Sequence, residues 1–306
     1  MMTTEEFDRL TAQSEKTIQA RMLCDSLHPD GVTRLTTMEL TYPRFIHAEF
    51  MTHRVFSRNS ASSRAIPMSK MIARIRDNPV FPLHWGKNQK GMQANEELSL
   101  EQKLNAATLW MRARDLALEG AELLEEAGIH KQLGNRVTET WMWITVIASA
   151  TNWENMFALR CHPMAEPHFQ NLAYKARAVY DASKPRQLYY GDWHLPLIGL
   201  AGDENIHSEF GPGDIARISA GRCARVSYLT HEGVRDPQED IRLFNALATN
   251  KPMHASPLEH PAEILDINSA KAEICNGWGN FAPGFLQLRK MYPGECVKTR
   301  AESQAA

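Results

Sequence analysis

Hydrophobic and polar positions change period several times along this chain, and each change marks an element. From Thr17 to Leu23 and again from Thr33 to Tyr42 they partly alternate, with His28-Pro29-Asp30-Gly31 between as turn chemistry. That pattern predicts a β-hairpin. Phe45, Ile46, Ala48, Phe50 and Met51 then suit a short helix or bend with one face packed inward. Residues 4–15 are a polar lead-in, expected to be helical or disordered and to lie at the periphery.

Residues 78–97, with Pro79, Pro82, Gly86 and Gly91, read as an extended loop. Ser99-Leu100-Glu101-Gln102 is a capping box, and Leu109, Ala113, Leu116, Leu123 and Leu124 continue it as a helix that stops at Gly128. A second helix is expected from Val137 to Leu159, with Trp141, Ile144, Ala148, Thr151 and Asn155 along one side. Its first half is apolar on nearly every face, which implies deep burial. Its second half, through Thr151, Asn152, Glu154 and Asn155 to Arg160, carries polar groups that need partners, either a ligand or neighbouring helices.

Pro163 and Pro167 break the chain and start a third helix through Tyr180. Residues 181–213 have no periodicity, and a loop of that length is often functional or an interface element. Asp214 is read as the cap of a short helix leading into Ala224-Arg225-Val226-Ser227-Tyr228, and Asp236-Pro237-Gln238-Glu239 opens another that runs to Thr249. A strand from Ala262 to Ile267, a short Phe285-Leu286-Gln287-Leu288 segment and a disordered tail after Thr299 complete the reading. The expected architecture is α+β: a central, mainly antiparallel sheet packed with long helices in one domain spanning residues 1–306.

Composition narrows the function classes. Hydrophobic content of 43% and charged content of 23% are ordinary for a globular enzyme, and a net charge of −2 argues against a general nucleic-acid binder. A local basic site for one nucleotide stays open. The five cysteines are scattered without C-x-x-C spacing, so neither a disulfide framework nor a zinc knuckle is indicated and a reduced cytoplasm is expected. Glu5, Glu6 and Asp8 do not suit a signal peptide, and no run approaches the roughly 18 apolar residues of a membrane span.

The chemistry concentrates in Thr52-His53-Arg54-Val55-Phe56-Ser57-Arg58-Asn59-Ser60-Ala61-Ser62-Ser63-Arg64. Guanidinium forks match phosphate, and hydroxyls, amide and turn N–H groups complete an anion nest. Taken by composition alone, the stretch reads equally as a solvated surface loop. It resembles the signature of flavin-dependent thymidylate synthases: Arg-His-Arg, two residues, Ser, any, Asn-Glu, any, Ser, any, Arg-Tyr. His53, Arg54, Ser57, Asn59, Ser62 and Arg64 fall in register. Thr52 stands for the first Arg, Ser60 for Glu, Ala65 for Tyr, and Glu49 for the upstream Gln.

Three further segments are similar to the same family, in a changed order. Ala224-Arg225-Val226-Ser227 and His254-Ala255-Ser256-Pro257-Leu258-Glu259-His260 resemble elements that precede the signature there and follow it here. Asn155, Leu159, Arg160, Gln170 and Ala173 resemble its late helix and loop. The order suggests a circular permutation.

The resemblance implies C5 methylation of deoxyuridine monophosphate, with methylenetetrahydrofolate as carbon donor and FAD reduced by NADPH as hydride source. It implies that His53 and Arg54 contact the flavin, that Ser62 lies near the pyrimidine and Arg64 near phosphate, and that Arg160 stabilises charge developing on the base. Asn155 and Ser256 match flavin contacts, and His254 and Glu259 the flavin and folate side. Ser57, Asn59 and Ser149 are grouped with the cofactor; Glu49, Thr52, Ser60 and Ser63 are grouped with the nucleotide. No metal ligand is expected, and family sites shared between subunits imply a homotetramer.

The four departures allow a cytosine nucleotide, a hydroxymethyl product, or a noncatalytic flavin- or nucleotide-binding relative. A rival from another class is a metal-dependent hydrolase using His162, Glu166 and His168 or His254, Glu259 and His260, although neither cluster forms H-E-x-x-H. A purely structural oligomer is the remaining alternative.

Overall fold

The computed structural model describes residues 1–228, 236–275 and 277–295. The lead-in is a packed helix, α1 (Thr4–Thr17), with Thr3 accepting the Glu6 N–H as its cap. Phe7 and Leu10 bury against Phe81 and Ala107, so this segment belongs to a core cluster rather than to a disordered periphery.

The hairpin forms from β1 (Gln19–Leu27) and β2 (Arg34–Pro43), antiparallel, with a bulge between Met22 and Cys24. At its turn the Asp30 carboxylate accepts the N–H groups of Val32 and Thr33, and Gly31 supplies a φ of +72°. A 3-10 turn and α2 (His47–Phe50) carry the chain into β3 (Ser57–Ser60), which holds the middle of the signature. After α3 (Met68–Asp77) comes α4 (Leu100–Glu126), opened by the predicted capping box, with Ser99 and Gln102 satisfying each other's backbone N–H. The short α5 (Lys131–Gly134) follows.

The expected helix over 137–159 is not formed. Residues Asn135–Trp141 are a 3-10 helix, Trp143–Ala150 is strand β4, and only Glu154–Arg160 is helical, α6. β4 lies between β2 and β3, which pair both its edges, and its two faces are covered by separate core clusters, one with Phe169 and Leu172 and one with Cys223 and Val226. A run apolar on all sides marks a doubly covered strand as well as a buried helix, and Ile144, Val146 and Ile147 favour the strand.

Helix α7 (Pro167–Ala182) is capped by Glu166, which accepts the N–H groups of His168 and Phe169. The aperiodic stretch that follows contains β5 (Arg186–Gln187), β6 (Trp193–His194) and α8 (Ile206–Glu209). Helix α9 (Pro212–Tyr228) starts before Asp214, so the expected short helix is a long one with Asp214 in its first turn. Asp236 caps α10 (Pro237–Thr249) as expected. β7 (Ala262–Ile264) is shorter than predicted, and α11 (Ala270–Ile274) and β8 (Phe285–Gln287) follow. The tail after Thr299 lies outside the described residues.

The main sheet runs β3-β4-β2-β1-β5, antiparallel except for the β1–β5 pair; β6-β7-β8 form a second, antiparallel sheet. Met38, Leu40, Ile144, Val146 and Ala148 pack on one face against Phe169, Leu172 and Ala176 of α7, with Phe50, Phe56 and Trp153 closing the cluster. The opposite face carries hydroxyl pairs, Thr37 with Ser149 and Thr41 with Thr145, and meets α9 through Ile147, Cys223 and Val226. Among the described residues no helix is long and apolar enough to cross a membrane.

Candidate active site

Met156 and Phe157 are buried and fix α6 on the core, which brings Arg160, in its last turn, to α2 and the start of the signature. Arg160 Nε donates to His53 Nε2 at 3.1 Å, Nη1 donates to Glu49 Oε2 at 3.3 Å, and the guanidinium lies 4.5 Å over the Phe169 ring. Arginine has no acceptor. His53 is therefore neutral, with its proton on Nδ1. Burial, then the charges of Arg160 and Arg58, lower its pKa to about 4. Burial and the nearby Glu166 raise the Glu49 carboxyl above its ordinary range, against the pull of Arg160.

The middle of the signature does a different task. Ser57 and Asn59 alternate onto one face of β3 and are buried. Ser57 Oγ accepts from Gln287 Nε2 at 2.8 Å and Asn280 Nδ2 at 3.2 Å, while Asn59 Nδ2 donates to the Cys223 carbonyl at 2.7 Å. Gln287 also donates to the Glu259 carbonyl at 2.8 Å. The Glu259 carboxylate pairs with Arg289; burial raises its pKa, with Arg289 opposing most. These bonds tie the signature strand to α9 and to the His254–His260 segment, more than 150 residues away in sequence.

Arg58 links the two clusters. Its Nη1 donates to the Met51 and His53 carbonyls, both at 3.1 Å, and its charge acts on His53 and Glu259 alike. The sequence reading passed over it because the family motif leaves that position open. The signal available was a cation between Ser57 and Asn59 in a short strand.

The other expected site residues lie as follows. Thr52 is exposed, its hydroxyl donating to the Glu49 carbonyl, and Arg54 is exposed. Ser60 is half-buried; Ser62 caps a 3-10 turn by accepting the Arg64 N–H, and Arg64 is exposed. Ser63 is buried, with its hydroxyl on Glu139 and its carbonyl on Asn135. Asn155 and His254 are exposed and Ser256 is half-buried. Arg160 shares no partner with Ser62, Ser63 or Arg64 among the bonds described.

Ser149 departs from the expectation that it meets the cofactor. It is fully buried, 2.6 Å from the Thr37 hydroxyl and 2.8 Å from His260 Nδ1. Thr37 continues the chain to His194, and His194 to Ser26, each at 2.8 Å. Burial holds both histidines neutral, with pKa values lowered to about 3. Ser149 belongs to this internal network because its position in β4 faces the second sheet.

A cavity of about 700 Å³ lies over the sheet face bearing Thr41 and Thr145. Ala61 and Ser63 of the signature line it together with Arg225 and Val226 of α9, so two family-like segments share one wall. Trp141 and Trp143 supply aromatic surface, and the Trp141 indole N–H is buried without an acceptor among the described residues. Beneath, Asp240 is fully buried and accepts from Arg222 at 3.0 Å and Arg225 at 2.6 Å; Arg222 also clasps Asp203.

No family model and no curated protein matches the chain. Solved structures similar to part of the chain include two of one enzyme. One is a UMP/dUMP methylase, PolB, from Streptomyces cacaoi bound with 5-Br UMP: 13% identity, 53% of this chain and 88% of that chain covered, TM-score 0.42. The other is the same enzyme bound with 5-Br dUMP: 13% identity, 60% and 75% covered, TM-score 0.37.

Neither histidine cluster of the hydrolase reading assembles a ligand set. His168 lies between Glu166 and the Leu83 N–H, while His260 is locked in the buried network and Glu259 is held by Arg289. Among the described residues no three His, Cys, Asp or Glu side chains converge to hold a metal ion.

Proposed function

We propose that this chain transfers a one-carbon unit to C5 of a pyrimidine deoxynucleotide, dUMP in the first instance, in a flavin-dependent reaction. The observation that carries the reading is Arg160 held against the signature by His53 and Glu49. The signature in turn bonds the Cys223 carbonyl, next to Ala224-Arg225-Val226-Ser227, and reaches Glu259 of the His254–His260 segment through Gln287. Either chain order would bring these segments together, so the permutation rests on the order of the segments in the sequence alone.

The donor set fits a flavin dinucleotide. Arg54 is exposed and Arg58 half-buried beside β3, cations suited to a pyrophosphate, and the half-buried Ser256 and exposed Asn155 offer polar atoms for a planar ring. His53, Arg54, Arg58 and Ser256 would hold it. FAD reduced by NADPH supplies the hydride, and methylenetetrahydrofolate supplies the carbon.

Arg160 carries the step assigned to the protein. Its guanidinium is pre-oriented by one bond to His53, one to Glu49 and the Phe169 face, so stabilising charge on a pyrimidine oxygen needs little rearrangement. His53 is a positioning residue: its neutral Nε2 fixes the guanidinium plane. Glu49 occupies Arg160 until a ligand displaces it. The resemblance implies a site shared between subunits, and on that ground we infer that a nucleotide touching Ser62, Arg64 and Arg160 is completed by a second copy of the chain in a homo-oligomer.

A cytosine nucleotide is the second reading. Glu49 favours it, since a carboxylate accepts from an exocyclic amine where glutamine would offer both donor and acceptor. The test is mass-spectrometric product analysis with methylenetetrahydrofolate, NADPH, FAD and either dUMP or dCMP, on wild type and Arg160→Ala. The expected result is a C5-modified nucleotide from one base, lost by at least about 100-fold in Arg160→Ala while flavin stays bound. Unchanged turnover in the variant would reject the role of Arg160.

A further inference from the structure

Helix α4, 27 residues and about 40 Å long, buries one side against α3 and the 3-10 helix through Leu118, Ala121 and Leu124. A second apolar line on it has no partner among the described residues. Leu109, Leu116 and Leu123 are 56%, 60% and 59% exposed at an interval of seven. Single exposed leucines are ordinary on a surface; three in register along one helix form a seam of the kind that pairs helices.

The flanks of this seam fix what fits it. On one side, Ala113, Gly120 and Ala127 repeat at the same interval and let another backbone approach closely. On the other, Arg112 and Glu119 are exposed, and no ion pair is described for either. A twofold axis at Leu116 makes the pattern self-complementary. Leu109 then meets Leu123 of the second copy, and Arg112 comes beside Gly120 and Glu119 of the second copy.

We propose that α4 is a contact between two copies of this chain, packed antiparallel with Leu116 on the twofold axis. The contact gives the shared site inferred above a physical basis, and its test is independent of the chemistry. A parallel pairing would set Arg112 and Glu119 against the opposite flank of the second copy, where Ala113 and Gly120 offer no charge, so the ion pair selects the antiparallel arrangement.

The test is sedimentation equilibrium of the full chain. Wild type is expected as a dimer or a higher even oligomer. Leu116→Glu, which places two carboxylates face to face and removes two leucines from the seam, is expected to raise the dissociation constant at least about 100-fold with unchanged far-UV circular dichroism. Arg112→Glu and Glu119→Arg should each weaken association, and the double variant should restore it. Oxidised Leu116→Cys should yield a covalent dimer, which tests the axis without a charged substitution. A monomeric wild type, an unaltered mass for Leu116→Glu, or no rescue in the double variant would overturn the proposal. An intact dimer without nucleotide turnover would reject the reaction and leave this contact standing.

Discussion

At the scale of single residues, the Glu49–Arg160 pair sets the resting charge of the site. Glu49→Gln removes a carboxylate 3.3 Å from the guanidinium. A partly exposed pair of this kind is worth about 0.3–1 kcal/mol, so nucleotide affinity measured by calorimetry should rise roughly 2–5-fold. Weaker binding would mean that Glu49 contacts the nucleotide itself. His47 and His53, at about 4, and His194 and His260, at about 3, all lie below the ordinary value of 6.5, with burial as the first cause. Depressed folded-state values stabilise the protein above pH 6.5, and that stability is lost as pH falls toward 4 and then 3. Urea midpoints should therefore be flat above neutrality and fall steadily below pH 6.5. His53→Gln should shallow the slope; an identical slope would show that His53 titrates normally. The motif letters single out His53, which lies against Arg160, but not Arg58, whose bonds to the Met51 and His53 carbonyls depend on how β3 packs.

At the scale of elements, the junction of α9 and α10 has little slack. A Cβ on Gly221 would fall 2.3 Å from the Asp240 carbonyl oxygen, a backbone atom that cannot swing aside. Gly221→Ala should cost about 1–3 kcal/mol, read from the thermal midpoint. The Asp240 carboxylate beside it accepts from two arginines, so Asp240→Ala should cost about 1.5–3 kcal/mol by removing buried charge-assisted hydrogen bonds, with Arg222 keeping its pair to Asp203. Losses under about 0.5 kcal/mol in both variants would mean that the helices are not in this contact. Elements with local punctuation were legible: the Ser99 capping box, the Asp236 cap and the Asp30-Gly31 turn. β4 was not, because Trp143–Ala150 is covered on both faces and its apolar run carries no period of two.

At the scale of the whole molecule, residues from three distant parts of the sequence meet at β3: α9 through Asn59, the Ser256–Glu259 turn through Gln287, and the core under α6 through Arg58 and His53. The segments stand out in the sequence as motifs, whereas their convergence does not, since it depends on long-range pairing that no local pattern encodes. The central claim is flavin-dependent chemistry on a pyrimidine nucleotide, and it is tested most directly by titrating FAD into the purified protein and recording the visible spectrum. The account predicts saturable, perturbed flavin bands that shift again when dUMP or dCMP is added. A free-flavin spectrum at every protein concentration, unchanged by either nucleotide, would contradict it.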